Sequence, residues 1–360
     1  MQIAVPKEIK NHEYRVSLTP ESVNHLVNRG HQVWVEHDAG AGIQYQDQDY
    51  LHAGARVTKK SELFKYAELI VKVKEPLPEE IALYQPQHCL FTYLHLAADK
   101  ALSLALAKSG VTCIAYETVT DNGFLPLLQP MSEIAGRLSI QVGAHCLEKA
   151  QGGMGKLLGG LAGVEPAQVV VIGAGSVGQQ AVAMAVGAQA SITVLDTDLH
   201  KLRMLQTLYQ NQINCIYSTP ATLKKYVLNA DLVIGAVLIP GASAPKLIPK
   251  EWLKKMKAGA VMVDVAIDQG GCFATSKPTT HTAPIYQLDG VIHYCVTNMP
   301  GAVPLTATQA LNSATLPYVT ELADSGIEQA LEISAPLRAG LNIYKGDICH
   351  PQVRKSLQLD

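Results

Sequence analysis

The chain has 360 residues, 29 basic and 31 acidic, for a formal net charge of -2; this length suits two domains rather than one core, and the charge balance gives no basic face for nucleic acid or an anionic membrane. Apolar residues make up 48% and charged residues 17%, against roughly 25% charged in an average domain, so much surface is expected in large cores or subunit contacts. Seven cysteines stand singly, odd in number and without a CxxC pair, which argues against a disulfide framework and a zinc site.

The opening MQIAVPKEIK lacks a signal-peptide apolar stretch. No run approaches the roughly 20 apolar residues that span a bilayer. A reducing, cytoplasmic, soluble setting is therefore expected. A short strand is predicted over Gln2–Val5. The helix after it is well punctuated: Thr19 as cap, Pro20 in the first turn, Glu21 at the positive end, Gly30 as the stop. HQVWVEH and GARVT read as strands, a helix starts at Ser61, and Leu69–Val73 is the next strand. CLFTYLH (Cys89–His95) follows, then a helix from Asp99 to Ser109 and the strand VTCIAYE. Strands alternating with helices imply a parallel sheet covered on both faces. This first unit ends near Pro130.

A long helix is predicted over Ser132–Ala150, and the glycine-rich QGGMGKLLGGLAGVEP reads as irregular. Alternation then restarts with AQVVVIG, a helix to Gly187, SITVLD, a helix from Asp198, NCIYS, DLVIGAV and AVMVDVAID, ending near Met299. The tail from Thr306 reads as helical with no sheet of its own, so it must pack on an existing domain. The fold class expected is α/β: two doubly wound, Rossmann-like domains with mainly parallel sheets.

VVVIGAGSVG places Gly173, Gly175 and Gly178 in GxGxxG spacing, after an apolar β-branched run and before a helix. That context gives the pattern its meaning. Gly173 permits the tight turn, Gly175 lets backbone approach a pyrophosphate, and Gly178 lets helix and strand pack closely. The helix N-terminus then faces the phosphates. Asp196 ends the next strand, at about the 20-residue spacing expected of the ribose-binding acid. A carboxylate there repels a 2′-phosphate, so NAD is expected rather than NADP. A rival phosphate loop fails: Gly155-Lys156 is followed by Leu157 instead of a hydroxyl residue, and Ala150 replaces the first glycine.

Ligands of open parallel sheets bind beyond the carboxyl ends of strands. That rule picks out Lys74, His95 and Asp268, with Arg15 in the loop before the first capped helix. Arginine and lysine hold a carboxylate or polarise a carbonyl. Histidine moves protons near neutral pH, and aspartate orients water or an amine. With a hydride carrier, the set describes oxidation of a small hydroxy or amino acid. Each has a plainer reading: lysines protecting a sheet edge, a merely hydrogen-bonded histidine, a turn aspartate, a solvated arginine. LIVKVKEP sharpens the choice between its lysines. Lys72 and Lys74 alternate onto one face, but only Lys74 lies where the crevice should open, leaving Lys72 a supporting or solvated role. Asp264, in the apolar strand before Asp268, has no role legible from sequence.

Across nearly its whole length the chain resembles the family of L-alanine dehydrogenase and the NAD-binding alpha subunit of proton-translocating transhydrogenase. The resemblance is carried by VPKEIKNHEYRVSLTPESV, LIVKVKEP, LFTYLHLA, AYETV, PMSEIAGRLS, VIGAGSVG, DLVIGAVLIPGASAPKL, VDVAIDQGGCF and CVTNMPGAVP. It implies reversible, NAD-dependent oxidative deamination of L-alanine to pyruvate and ammonia by a homohexamer. It also implies a discontinuous substrate domain, 1–130 plus 305–360, an NAD domain, 131–304, and an active site in the cleft between them. By motif, Arg15 and Lys74 bind the substrate, and His95 and Asp268 are the acid–base residues. Ser132, Ser176, Val177 and Asp196 contact the cofactor, with Lys201 and Ser218 on its adenosine side. Val237, Leu238, Val265, Ala266, Ile267 and Asp268 line the path to the nicotinamide, and Val296, Thr297, Asn298 and Met299 complete its pocket. Lys277 stands in SKPTT where relatives often carry arginine. The implied course is hydride loss from C2, an iminium, addition of water and departure of ammonia. Alternatives are a transhydrogenase component that passes hydride to a partner subunit, and a non-catalytic NAD-binding protein.

Overall fold

The computed structural model describes residues 1–237 and 244–359. The strands, in chain order, are β1 (Gln2–Val5), β2 (Gln32–Glu36), β3 (Arg56–Thr58), β4 (Leu69–Val71), β5 (Cys89–Thr92), β6 (Thr112–Ala115), β7 (Gln168–Ile172), β8 (Ser191–Asp196), β9 (Ile213–Tyr217), β10 (Leu232–Gly235), β11 (Val261–Asp264), β12 (Ile285–Leu288), β13 (Val291–Tyr294), β14 (Leu341–Tyr344) and β15 (Asp347–Ile348). The chain divides into two compact units, Met1–Met131 with Val303–Asp360, and Ser132–Ala302. Each is built on its own mainly parallel sheet with interleaved helices, the α/β architecture the alternation predicts.

The first unit's sheet has eight strands in the order β15-β14-β6-β5-β4-β1-β2-β3. Its parallel part reverses direction of growth between β1 and β4, the kind of switch point at which a crevice opens beyond the strand ends. β4, β5 and β6 are buried at every position, as expected of strands covered on both faces. Ile70, Leu90, Cys113 and Ile343 pack in one core with Leu63, Phe64 and Leu106 of the flanking helices. Each fully buried aliphatic side chain contributes about 1.5–3 kcal/mol.

Local punctuation explains the helices. Thr19 accepts a hydrogen bond from the Ser22 N–H at 3.3 Å, Pro20 opens the helix Pro20–Asn28, and Ser22, Val23 and Leu26 form its buried stripe. Asp99 caps Lys100–Ser109 and Gly110 ends it in a left-handed conformation. The tail departs from expectation. It packs on the first unit, but it adds β14 antiparallel to β6 and β15 antiparallel to β14. These strands are too short to show a period of two. The helix Pro304–Ser325 is fastened to the first unit by Asn312, which accepts from the Thr19 N–H and donates to Ser22 Oγ.

The second unit's sheet has seven strands, ordered β12-β13-β11-β10-β7-β8-β9. β12 pairs antiparallel to β13 and the other neighbours are parallel. The switch point lies between β7 and β10. β12 and β13 form a hairpin that the sequence pattern did not separate from its loop. The predicted long helix runs Gln129–Cys146, about one turn earlier than expected. The predicted strand AVMVDVAID stops at Asp264, and Val265–Gln269 is a 3-10 helix. Among the described residues no helix is long and apolar enough to cross a membrane.

Candidate active site

At the first unit's switch point, the loops leaving β1 and β4 are joined by buried charge. β4 ends at Val71, so Lys72 and Lys74 stand just past the strand rather than within it. Lys72 is 0% exposed. Its ammonium lies 3.3 Å from Glu8 and 3.2 Å from Glu80. Burial disfavours its charge, but the two carboxylates more than offset that and hold its pKa above the usual lysine range. Lys72 is thus a buried strut, and the solvated alternative is corrected. Glu8 also accepts from the backbone N–H of Val73 at 2.7 Å and of Lys74 at 3.3 Å. One carboxylate therefore fixes the backbone at the very residue singled out for substrate.

Lys74 is partly exposed. Burial and then the nearby Arg15 guanidinium push its ammonium below the ordinary lysine range. The two carboxylates whose charge reaches it, Glu75 and Glu13, are already engaged, Glu75 by Lys10 and Glu13 by Arg15. Arg15 is 2% exposed, not a solvated loop charge. Glu13 grips it through Nε and Nη2, both at 2.6 Å, and its Nη1 points to Met131 Sδ at 3.1 Å. Burial opposes ionisation of Glu13, yet the hydrogen bonds from Arg15 hold its carboxyl below the usual range. A bidentate pair of this kind fixes orientation as well as charge.

His95 lies three residues beyond β5, exposed and in the left-handed region at φ 52°. Glu117 holds that conformation by accepting from the His95 N–H at 2.6 Å and the Leu94 N–H at 3.2 Å. The imidazole stacks on Tyr93, ring centroids 6.1 Å apart. Within this unit the structure gathers Arg15, Lys74 and His95 on the carboxyl edge of one sheet. The sequence reading missed Glu8, Glu13, Glu80 and Glu117. Each acts through an ion pair or a backbone N–H, and no spacing rule announces either.

In the second unit, the glycine loop behaves as its spacing demands. Gly173 has φ +103°, and a Cβ there would meet the Ala236 carbonyl oxygen beyond β10 at 2.6 Å. A Cβ on Gly178 would fall 1.8 Å from the Gly173 oxygen. On Gly175 it would meet nothing within 4 Å among the described residues. The helix Ser176–Gly187 starts with no side-chain cap, leaving first-turn N–H donors for an outside acceptor. An open face above an uncapped helix N-terminus fits a dinucleotide pyrophosphate. Asp196 at the end of β8 accepts from the Ala174 N–H at 2.5 Å and the Asp198 N–H at 2.8 Å, so it fixes the glycine loop.

Ser132 is partly buried, Ser176 is exposed at the helix start, and Val177 is buried. Lys201 pairs with Asp198 at 3.6 Å, and the Ser218 N–H donates to the Asp196 carbonyl at 2.9 Å. Val237 follows β10 partly buried; Leu238 lies outside the described residues. Val265 and Ala266 are partly buried and Ile267 is buried. Asp268 is exposed, one 3-10 turn past β11 rather than at a strand end. The Lys277 N–H donates to Tyr286 Oη at 2.9 Å. Val296 and Met299 are buried, while Thr297 and Asn298 are partly exposed, Asn298 at φ 62°. Among the described residues no cluster of histidine, cysteine and acidic side chains could hold a metal ion.

Comparison with known proteins places this geometry. The profile of the alanine dehydrogenase/PNT N-terminal domain matches residues 4–135, and that of the C-terminal domain matches residues 139–351. An alanine dehydrogenase of Halomonas elongata is 55% identical over 100% of this chain and 98% of its own. One of Mycolicibacterium smegmatis is 49% identical over 100% and 97%. A solved L-alanine dehydrogenase superposes with a TM-score of 0.97 at 51% identity, covering 99% of both chains. A transhydrogenase from Sinorhizobium meliloti reaches 0.84 at 25% identity, covering 98% of this chain and 99% of that one. Matched end to end by both domains and by full-length relatives, the chain belongs to the alanine dehydrogenase/PNT family.

Proposed function

We propose that this chain catalyses the reversible, NAD-dependent oxidative deamination of L-alanine: alanine, NAD and water give pyruvate, ammonia, NADH and a proton. Family and Rossmann-like fold together imply a nicotinamide dinucleotide, and the chain is an oxidoreductase acting on the CH–NH2 group. The observation that carries the substrate reading is the pair of cations, Arg15 and Lys74, at the first unit's switch point. Glu13 balances Arg15, so Lys74 supplies the net positive charge that selects a carboxylate or polarises a carbonyl. NAD over NADP is supported by Asp196, whose carboxylate repels a 2′-phosphate.

In this reading the first unit carries the substrate and the second the cofactor. The nicotinamide, when bound, accepts the hydride from C2 of alanine. Arg15 and Lys74 orient the carboxylate and the oxygen at C2. His95 polarises the carbonyl oxygen, and Asp268 moves protons at the amine and at the water that replaces it. Serving both steps requires two proton-transfer groups, because the carbinolamine formed by water must protonate its departing ammonia while its hydroxyl loses a proton to become the carbonyl. The proposal extends to a homohexamer in the cytoplasm. Exposed Leu157, Leu161 and Val164 support it as apolar surface for a subunit contact.

The test uses purified protein without any partner, followed by NADH absorbance with L-alanine and other small L-amino acids. Alanine-dependent NADH formation is expected, with turnover falling about 100-fold or more in His95→Ala and Asp268→Ala. Near-normal turnover in either variant removes that residue's role. No alanine-dependent NADH at all refutes the activity.

A further inference from the structure

Asp264 is a heavily hydrogen-bonded carboxylate of the second unit with no part in the chemistry assigned to Asp268. It ends β11, four residues before Asp268, and is 0% exposed. Oδ1 accepts from the Ala266 N–H at 3.1 Å. Oδ2 accepts from the Cys272 N–H at 2.9 Å, the Phe273 N–H at 3.3 Å and the Ser276 hydroxyl. One carboxylate therefore holds both arms of the loop whose apex carries Asp268. The loop's geometry is built around it. Gly271 sits at φ +77°, and a Cβ there would lie 2.6 Å from Asp264 Oδ2. Lys246 closes the far side by donating to the Gly270 and Gly271 carbonyls.

We propose that Asp264 is a positioning residue for the reaction, setting the placement of Asp268 by clamping residues 266–276 from inside the sheet. A loop with two left-handed glycines, Gly270 and Gly271, has wide backbone freedom. A shift of about 1 Å in a proton-transfer group costs about 100-fold in rate. The clamp removes that freedom at the one loop required to present an exposed carboxylate reproducibly. Burial pushes the Asp264 carboxyl up, and the hydrogen bonds from Ser276, Phe273 and Cys272 oppose that rise. This inference rests on the assignment of Asp268 to acid–base chemistry.

The test is a double-mutant cycle in the full chain. Asp264→Asn keeps the shape but offers a single acceptor oxygen, so an amide N–H must face one set of donors. Its kcat for alanine oxidation is expected to fall about 100-fold, and its thermal midpoint to fall as well, because buried donors lose their acceptor. On an Asp268→Asn background the same substitution should cost less than about threefold, because a positioning residue has nothing left to position. Multiplying losses overturn the proposal, as does an Asp264→Asn protein that folds and retains wild-type kcat. Should that variant fail to fold, Ser276→Ala decides. It removes one donor to Oδ2, and a roughly 3- to 10-fold fall in kcat that vanishes on the Asp268→Asn background is expected. Unchanged kcat overturns the proposal. Wild-type turnover in Asp268→Asn alone refutes the acid–base assignment instead, a result read separately from that of Asp264.

Discussion

Lys72→Ala tests whether the buried strut organises the first unit's crevice. The lysine is fully buried, 3.3 Å from Glu8 and 3.2 Å from Glu80. Its removal leaves two carboxylates in a nearly dry environment. Lys60, 3.9 Å from Glu80 and 27% exposed, offsets little of that. Breaking a buried ion pair from one side costs about 3–5 kcal/mol, and the substitution should cost that much in denaturant unfolding. Neutralising the site as a whole, with Lys72→Met, Glu8→Gln and Glu80→Gln together, should return stability to within about 2 kcal/mol of the parent, because no charge is then left buried alone. The pH dependence has a definite sign. Burial lowers the Lys72 pKa, but Glu8 and Glu80 raise it further, above its ordinary 10.5. The contribution is therefore complete below 10.5 and is lost as pH rises through the higher folded value. A loss below about 1 kcal/mol in Lys72→Ala, near that of a solvated lysine, would refute the reasoning.

Other outcomes follow from the same geometry. Lys74→Ala should change stability by less than about 1 kcal/mol while lowering kcat/KM for pyruvate reduction by about 100-fold or more. In the parent, the KM for pyruvate should rise in the alkaline range below 10.5, since burial and then Arg15 depress the Lys74 pKa. Lys74→Arg should flatten that rise, because guanidinium stays charged, and an unchanged alkaline limb would count against Lys74. Gly175→Ala should leave the fold intact and weaken NAD binding in a titration, whereas Gly178→Ala should destabilise the unit, its new Cβ falling 1.8 Å from the Gly173 oxygen. Equal thermal midpoints for the two would contradict the assigned roles. Asp196→Gly should raise the NADP-to-NAD ratio of kcat/KM by roughly 10-fold or more through lost charge repulsion, and it should also loosen the Ala174 turn.

What could be read from sequence was whatever is local. The Thr19 cap and the glycine turn depend on contacts a few residues apart, and both stand where their spacing puts them. Chain alternation likewise exposed two parallel sheets. What was not legible depends on partners far apart in sequence or on very short elements. Glu8 meets Val73 across 65 positions, and Asn312 meets Thr19 across 293. β14 and β15 are four and two residues long and lie in a tail whose pattern otherwise reads as helical. Asp264 looked like an oddity in an apolar strand, because its partners lie in a loop that turns back only after Gly270 and Gly271. LIVKVKEP shows the limit: alternation assumes a strand running through both lysines, but the strand stops at Val71, and only the fold showed that Lys72 is a strut between two glutamates.

The most direct test of the central claim is product balance. Purified protein supplied with L-alanine and NAD should form NADH, pyruvate and ammonia in equal amounts, with no second protein present. Lys74→Ala should depress all three together. NADH formed without matching ammonia, or none formed until a partner subunit is added, would contradict the account.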